Sequence, residues 1–199
     1  MTAPTRTEDR RTAAAAIAAG VLLFASVAAE TVRPVQEPDG SVTDIAGFAL
    51  YLTGWTLGAA ALLVALLGLG DRTHSRAGRI GRAVALPGAT LLLAFGAVGL
   101  VSALVDGAPA EWSFLLFAVG LLMLVAGSVP LALGLRRTGD LGGWWVAVLV
   151  AGAGGVVALG AEADPWHDLG LFLFDAAWVA VGLRLLSAEP VRADIAPVG

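Results

Sequence analysis

The chain has 199 residues, of which 58% are apolar and only 14% charged, and its mean hydropathy is +0.84 at a formal net charge of −4. Because a soluble domain carries nearer a quarter charged residues, these values predict a membrane protein with several spans. The sequence contains no cysteine, which excludes disulfides, thiolate metal sites and iron–sulfur clusters. Lysine is absent as well, which excludes an amine nucleophile or a Schiff base.

Six apolar stretches predict an all-α fold, a polytopic transmembrane helix bundle of six spans arranged as three hairpins. The spans cover about 13–32, 45–69, 83–105, 113–135, 144–161 and 169–186, within a transmembrane domain over residues 13–187. Residues 1–12 are expected to be a disordered cytoplasmic N-terminus, and residues 188–199 a cytoplasmic tail. Proline and acidic residues occur together in each predicted outer turn, where they stop the helices.

The first span has an alternative interpretation as a cleaved signal peptide. Ser26-Val27-Ala28 and Val27-Ala28-Ala29 both resemble the small-residue sites at which signal peptides are cut. However, the apolar stretch 13–29 is longer than the usual apolar region of about 7–15 residues. This length favours a retained helix.

Arginine determines the predicted orientation. The loop 71–82 after the second span carries four arginines and two more follow the fourth span, namely Arg72, Arg76, Arg79, Arg82, Arg136 and Arg137. Eleven arginines fall on the side of this loop and only Arg33 falls on the other. Because arginine near a span end resists translocation, this side and both chain termini are expected in the cytoplasm. The expected location is therefore the bacterial plasma membrane, as a multi-pass protein.

Small residues at regular spacing predict where helices pack, since association in lipid requires close approach of the backbones. They are Gly54 and Gly58 in the second span, Gly120, Gly127 and Gly134 in the fourth, and Gly143, Ala147, Ala151 and Gly155 in the fifth. These seams are expected within the chain or between chains. The three hairpins also share similar turns, and two of them have similar inner ends at 131–136 and 179–184. This similarity fits a threefold repeat, or it arises because every helical hairpin of this topology needs turn-forming residues outside and arginine inside.

Asp175 is a carboxyl within the sixth span, with only apolar residues and glycine at 169–174 and 176–183. Such residues are functional candidates by default, because a charge inside a membrane span costs a few kcal/mol. One hypothesis is a site for a proton or a cation, with Trp178 at i+3 on the same helix face. The other is a structural carboxyl that bonds to a hydroxyl of another helix. In both cases the side chain is expected to point into the bundle.

The last outer turn contains Glu162, Asp164, His167 and Asp168, groups of the kind that bind divalent cations. Their spacing matches no metal motif, so a solvated acidic turn is expected, and no metal or cofactor is predicted. His74 and His167 are the only histidines and are predicted on opposite sides of the membrane, which excludes a shared haem. No phosphate loop, dinucleotide fingerprint or zinc helix appears.

The pattern Gly-Arg-Ile-Gly-Arg at 78–82 and the segment Ala-Ala-Trp-Val-Ala-Val-Gly-Leu at 176–183 resemble small uncharacterised multi-spanning membrane proteins of GC-rich bacteria. The resemblance is compositional and brings no assigned activity. The predicted function is that of a non-enzymic accessory or partner-binding component of the plasma membrane. The alternatives are a small transporter or channel using Asp175 and an intramembrane enzyme. Expected partners are the lipid bilayer and another membrane protein or a second copy, with no nucleic acid.

Overall fold

The computed structural model describes residues 6–32, 34–35, 42–108, 110, 112–139, 142–160 and 165–187, which form an all-α protein. Its six helices are α1 (Arg6–Val32), α2 (Ile45–Gly68), α3 (Arg76–Asp106), α4 (Ser113–Thr138), α5 (Trp145–Gly160) and α6 (Trp166–Ser187). Short 3-10 turns at Leu69–Arg72 and Gly142–Trp144 precede α3 and α5. The predicted tail 188–199 lies outside the described residues.

The helices form a closed ring, in which each helix packs against the next in the chain and α6 returns to pack against α1. Neighbouring helices run antiparallel. Between α1 and α2, Gly54 lies against Ser26 and Gly68 against Thr12; between α1 and α6, Gly20 lies against Asp175 and Gly182 against Ala13. The interior of the ring is one apolar core with side chains from every helix, among them Leu23, Leu62, Leu92, Leu121, Val148 and Phe174. The ring therefore brings the first and last helices together although they are furthest apart in the sequence.

An aromatic cluster joins three of the helices inside the ring. Phe117 of α4 lies 5.4 Å from both Trp55 of α2 and Phe95 of α3, measured between ring centroids. The Trp55 and Phe95 rings are 6.0 Å apart and nearly perpendicular. Pairs with this geometry contribute about 0.5–1.5 kcal/mol beyond the area that they bury, so the cluster stabilises the packing of α2, α3 and α4.

Five of the helices are long and apolar enough to cross a membrane. The exception is α5, whose 16 residues span only about 24 Å at 1.5 Å per residue, compared with about 30 Å for the hydrocarbon core. Large apolar side chains with 50–74% of their surface exposed occur around the ring, for example Leu50, Val101, Leu104, Leu115, Leu122 and Leu183. Long apolar helices with this exposed surface indicate a multi-pass membrane protein in contact with lipid.

Helix boundaries at the arginine-rich connection differ from the expected ones. Most of the expected loop 71–82 is helical, because a 3-10 turn extends to Arg72 and α3 already begins at Arg76. The cause is local: the Ser75 side chain accepts a hydrogen bond from the Gly78 N–H at 3.0 Å and caps α3. At the start of the chain α1 begins at Arg6, within the segment 1–12 that was expected to be disordered, and acidic residues in its first turn favour that helix end.

The antiparallel ring gathers the arginines of the described residues at one end. We call the end with the start of α1, the α2–α3 connection and the ends of α4 and α6 the basic end; its arginines are Arg10, Arg11, Arg72, Arg76, Arg79, Arg82, Arg136, Arg137 and Arg184. The opposite end, here the acidic end, carries Glu30, Asp44, Asp106 and Asp168. Arg33 and Arg192, on which part of the predicted orientation rests, lie outside the described residues.

Candidate intramembrane polar site

Asp175 lies in the middle of α6, and only 1% of its surface is exposed. Its Oδ2 atom has no hydrogen-bond partner among the described residues. One turn further on, Trp178 is 3% exposed, and its Nε1–H also has no partner in the part of the chain that the structure describes. Residues three apart share a helix face, so α6 presents an unpaired acceptor and an unpaired donor side by side. Buried polar groups are rarely left unpaired, which makes this face the candidate site.

Glycines fix the backbone of α6 on both sides of this face. Gly20 of α1 lies directly against the carbonyl oxygen of Asp175, where any side chain on α1 would overlap the α6 backbone. On the other side, Gly154 of α5 lies against Gly170 and Phe174. Small residues allow this close approach of helices in lipid. The two flanking helices therefore hold Asp175 in a fixed position within the ring.

A small cavity adjoins Trp178 inside the ring. It is lined by Ala85, Leu124, Ser128, Leu131, Val148, Ala151, Gly152, Phe174 and Trp178, which come from α3, α4, α5 and α6. The centre of a water molecule has about 10 Å³ available there. Ser128 is the hydroxyl residue of the lining, and its Oγ donates to the Val125 carbonyl at 2.7 Å. Ser128 lies against Gly152 of α5, a pairing that small-residue spacing within one span does not reveal.

The predicted packing positions face other helices of the same chain at most sites. Gly54 and Gly58 contact Ser26 and Leu23 of α1, Gly120 contacts Gly88, Gly127 contacts Gly81 and Ala85, Gly134 contacts Gly78, and Gly155 contacts Val125. Ala151 is buried and Ala147 is packed against the core. Gly143 differs, since it precedes α5 and is exposed, and no atom of the described residues lies within 4 Å of the place of its Cβ.

The arginines of the basic end make several specific contacts. Arg82 donates to the carbonyls of Leu66 at 3.2 Å and Leu67 at 3.3 Å, which are among the last carbonyls of α2. Arg72 forms an ion pair of 2.5 Å with Asp9 of α1. These contacts depend on which helices are neighbours, and the sequence pattern gave no sign of them.

The other arginines that were predicted to determine the orientation project outward from the ring at this end. Arg136 lies 5.1 Å from the centre of the Trp145 ring, a distance at which a cation–π interaction is favourable. Arg76, Arg79 and Arg137 are exposed. Because these three side chains are exposed, they can interact with molecules outside the protein at the basic end.

The residues of the last outer turn point to different neighbours. The His167 Nδ1 atom lies 2.8 Å from the Ala158 carbonyl. Asp168 instead accepts a hydrogen bond from Thr31 of α1 at 2.8 Å. Glu162 and Asp164 lie outside the described residues. Within the described ranges, no group of three His, Cys, Asp or Glu residues could hold a metal ion.

Comparison with known proteins identified no relative of this chain. No family model matches it, no curated protein matches it, and no solved structure matches it.

Proposed function

We propose that the protein is a non-enzymic component of the bacterial plasma membrane with six spans and both termini in the cytoplasm, and that it binds another membrane protein. The arrangement of the arginines at one end of the ring supports this orientation. The shorter α5 crosses the bilayer together with the turn Gly142–Trp144, since it packs beside its neighbours α4 and α6 in the ring.

The observation that carries partner binding is an open apolar groove between α1 and α6. It has a volume of about 320 Å³ and is lined by Gly20, Val21, Phe24, Ala25, Ala176 and Val179. Two of its exposed lining residues, Ala25 and Ala176, are alanines, which allow a helix backbone to approach closely. We assign the groove to a transmembrane helix of a partner protein.

Photo-crosslinking tests this assignment. A photoreactive amino acid at Ala25 or Ala176 is expected to give one discrete adduct in membranes, whereas the same group at Ala126, which is exposed on α4, gives none. Ala176→Leu fills the groove and is expected to abolish the adduct from position 25, whereas Ala126→Leu leaves it unchanged. The mass of the adduct distinguishes a partner from a second copy. Equal labelling at all three positions, or no adduct at position 25 or 176, contradicts partner binding through this groove.

Orientation is tested by single cysteines, which report without background because the chain has no cysteine. An impermeant thiol reagent added from outside is expected to label Pro165→Cys in intact cells. Arg79→Cys is expected to react only after permeabilisation. Labelling of position 79 from outside would overturn the proposed topology.

A second candidate function is transport of protons or small cations. It is supported by the Oδ2 atom of Asp175, which has no hydrogen-bond partner within the described residues. Intramembrane carboxyls often lie on proton and ion paths. In proteoliposomes the wild-type protein is then expected to conduct, and Asp175→Asn to fold without conducting. Wild-type flux no greater than that of empty liposomes contradicts this candidate.

A further inference from the structure

We propose that the cavity beside Trp178 is a specific site for one buried water molecule, which accepts a hydrogen bond from Trp178 Nε1 and donates one to Ser128 Oγ. The site joins α6 to α4 within the ring. It is independent of both the partner groove and any transport by Asp175.

Two residues that line the cavity, Trp178 and Ser128, carry hydrogen-bonding groups that are complementary to water. The indole N–H of Trp178 can only donate, and it has no partner among the residues that the structure describes. The Ser128 hydroxyl uses its proton to donate to the Val125 carbonyl, so its oxygen remains free to accept. A molecule between these residues must accept from one and donate to the other, which water does and an apolar guest does not.

The size of the cavity fits this ligand. About 10 Å³ is available to the centre of a water molecule, and one bound water requires about 10–15 Å³ by that measure together with two to four polar partners. Trp178 and Ser128 are 3% and 6% exposed, so neither group is satisfied by bulk solvent. An unpaired buried polar group is costly, and a single water relieves that cost without moving any helix.

The chain contains a closely matched control for Ser128. Ser26 of α1 is also 6% exposed, its Oγ donates to a carbonyl of its own helix at 2.8 Å, and it lies against Gly54 of the neighbouring helix. It does not line the cavity. Ser128→Ala and Ser26→Ala therefore remove the same hydroxyl from equivalent surroundings, one at the water site and one elsewhere.

A double-mutant cycle tests the bridge. Ser128→Ala and Trp178→Phe each remove one partner of the same water. Once one partner is gone, the other substitution therefore lowers the stability by less than it does in the wild-type protein. The unfolding equilibrium constant of the double variant is expected to be about three- to tenfold smaller than the product of the single effects predicts. The effects of Ser26→Ala and Trp178→Phe on the unfolding constant are expected to multiply to within about twofold, as they do for independent sites. Equal behaviour of the two cycles overturns the proposal.

A crystal structure of the wild-type protein provides the second measurement and applies even if Trp178→Phe does not fold. The expected result is one peak of water density within hydrogen-bonding distance of Trp178 Nε1 and Ser128 Oγ, which is lost in Ser128→Ala and kept in Ser26→Ala. An empty cavity in the wild-type protein refutes the water site, whatever the cycle gives.

Discussion

Substitution of Gly127 tests the contact between α3 and α4 most directly. A Cβ at this position would lie 2.7 Å from the carbonyl oxygen of Gly81 and 2.9 Å from the backbone nitrogen of Ala85. Both atoms belong to the backbone of α3, so they cannot turn away as the end of a flexible side chain can. Gly127→Ala therefore requires α3 and α4 to separate.

The magnitude follows from two opposing effects. Overpacking of a close contact costs about 1–3 kcal/mol, whereas alanine gains up to about 1 kcal/mol over glycine in a helix. The net expectation is a loss of about 1–2 kcal/mol, which raises the unfolding constant roughly 5- to 30-fold. Gly160→Ala is the control, because no described residue has an atom within 4 Å of a Cβ at that position. This variant is expected to be neutral or slightly stabilising.

The assay is reversible unfolding by SDS in mixed micelles, followed by the loss of helical circular dichroism. Gly127→Val should destabilise more than Gly127→Ala, since it adds further atoms at the same contact. If Gly127→Ala is as stable as Gly160→Ala, the two backbones are not in contact at this point and the proposed packing is wrong.

Three further predictions use the same unfolding assay. Ala151→Leu adds three carbons beside a cavity of about 10 Å³ and should cost about 1–3 kcal/mol. Ala126→Leu, at an exposed position of α4, should cost less than about 0.5 kcal/mol, so equal stability of the two variants argues against burial of Ala151. Arg82→Gln removes the bonds to the last carbonyls of α2 and should cost about 1 kcal/mol. Arg79→Gln, at an exposed position, is the control, and an unchanged unfolding midpoint of Arg82→Gln would show that these bonds are not formed. Asp175→Asn keeps a donor and an acceptor and should change the free energy of unfolding by less than about 1 kcal/mol; a larger loss would reveal a partner for the carboxylate.

The positions of the helices could be predicted from the sequence because a span must satisfy its own backbone hydrogen bonds and be apolar over its length. The expected spans 45–69 and 113–135 differ from α2 and α4 by at most three residues at either end. The differences occur where polar residues extend a helix, as at the start of α3. There the decisive feature is the Ser75 cap, which hydropathy does not register.

Asp175 could be identified from the sequence as an unusual residue, because it interrupts an apolar span. Its surroundings could not. The contact of its backbone with Gly20 joins residues that are 155 positions apart in the sequence. This contact exists only because α6 closes the ring on α1. Ser128 was missed for the same reason, since its importance comes from Gly152 and Trp178 on other helices.

The sequence by itself determined that the chain is helical, where its helices lie and how its arginines are distributed along them. Only the tertiary structure decided which face of each helix is buried. Leu121 is 1% exposed and its neighbour Leu122 57%, and Leu23 is fully buried beside Phe24 at 45%. Lipid is as apolar as a protein core, so residues facing either one have the same composition. The inward faces are therefore set by the fit of all six helices around the ring, and hydropathy along the chain does not encode that fit.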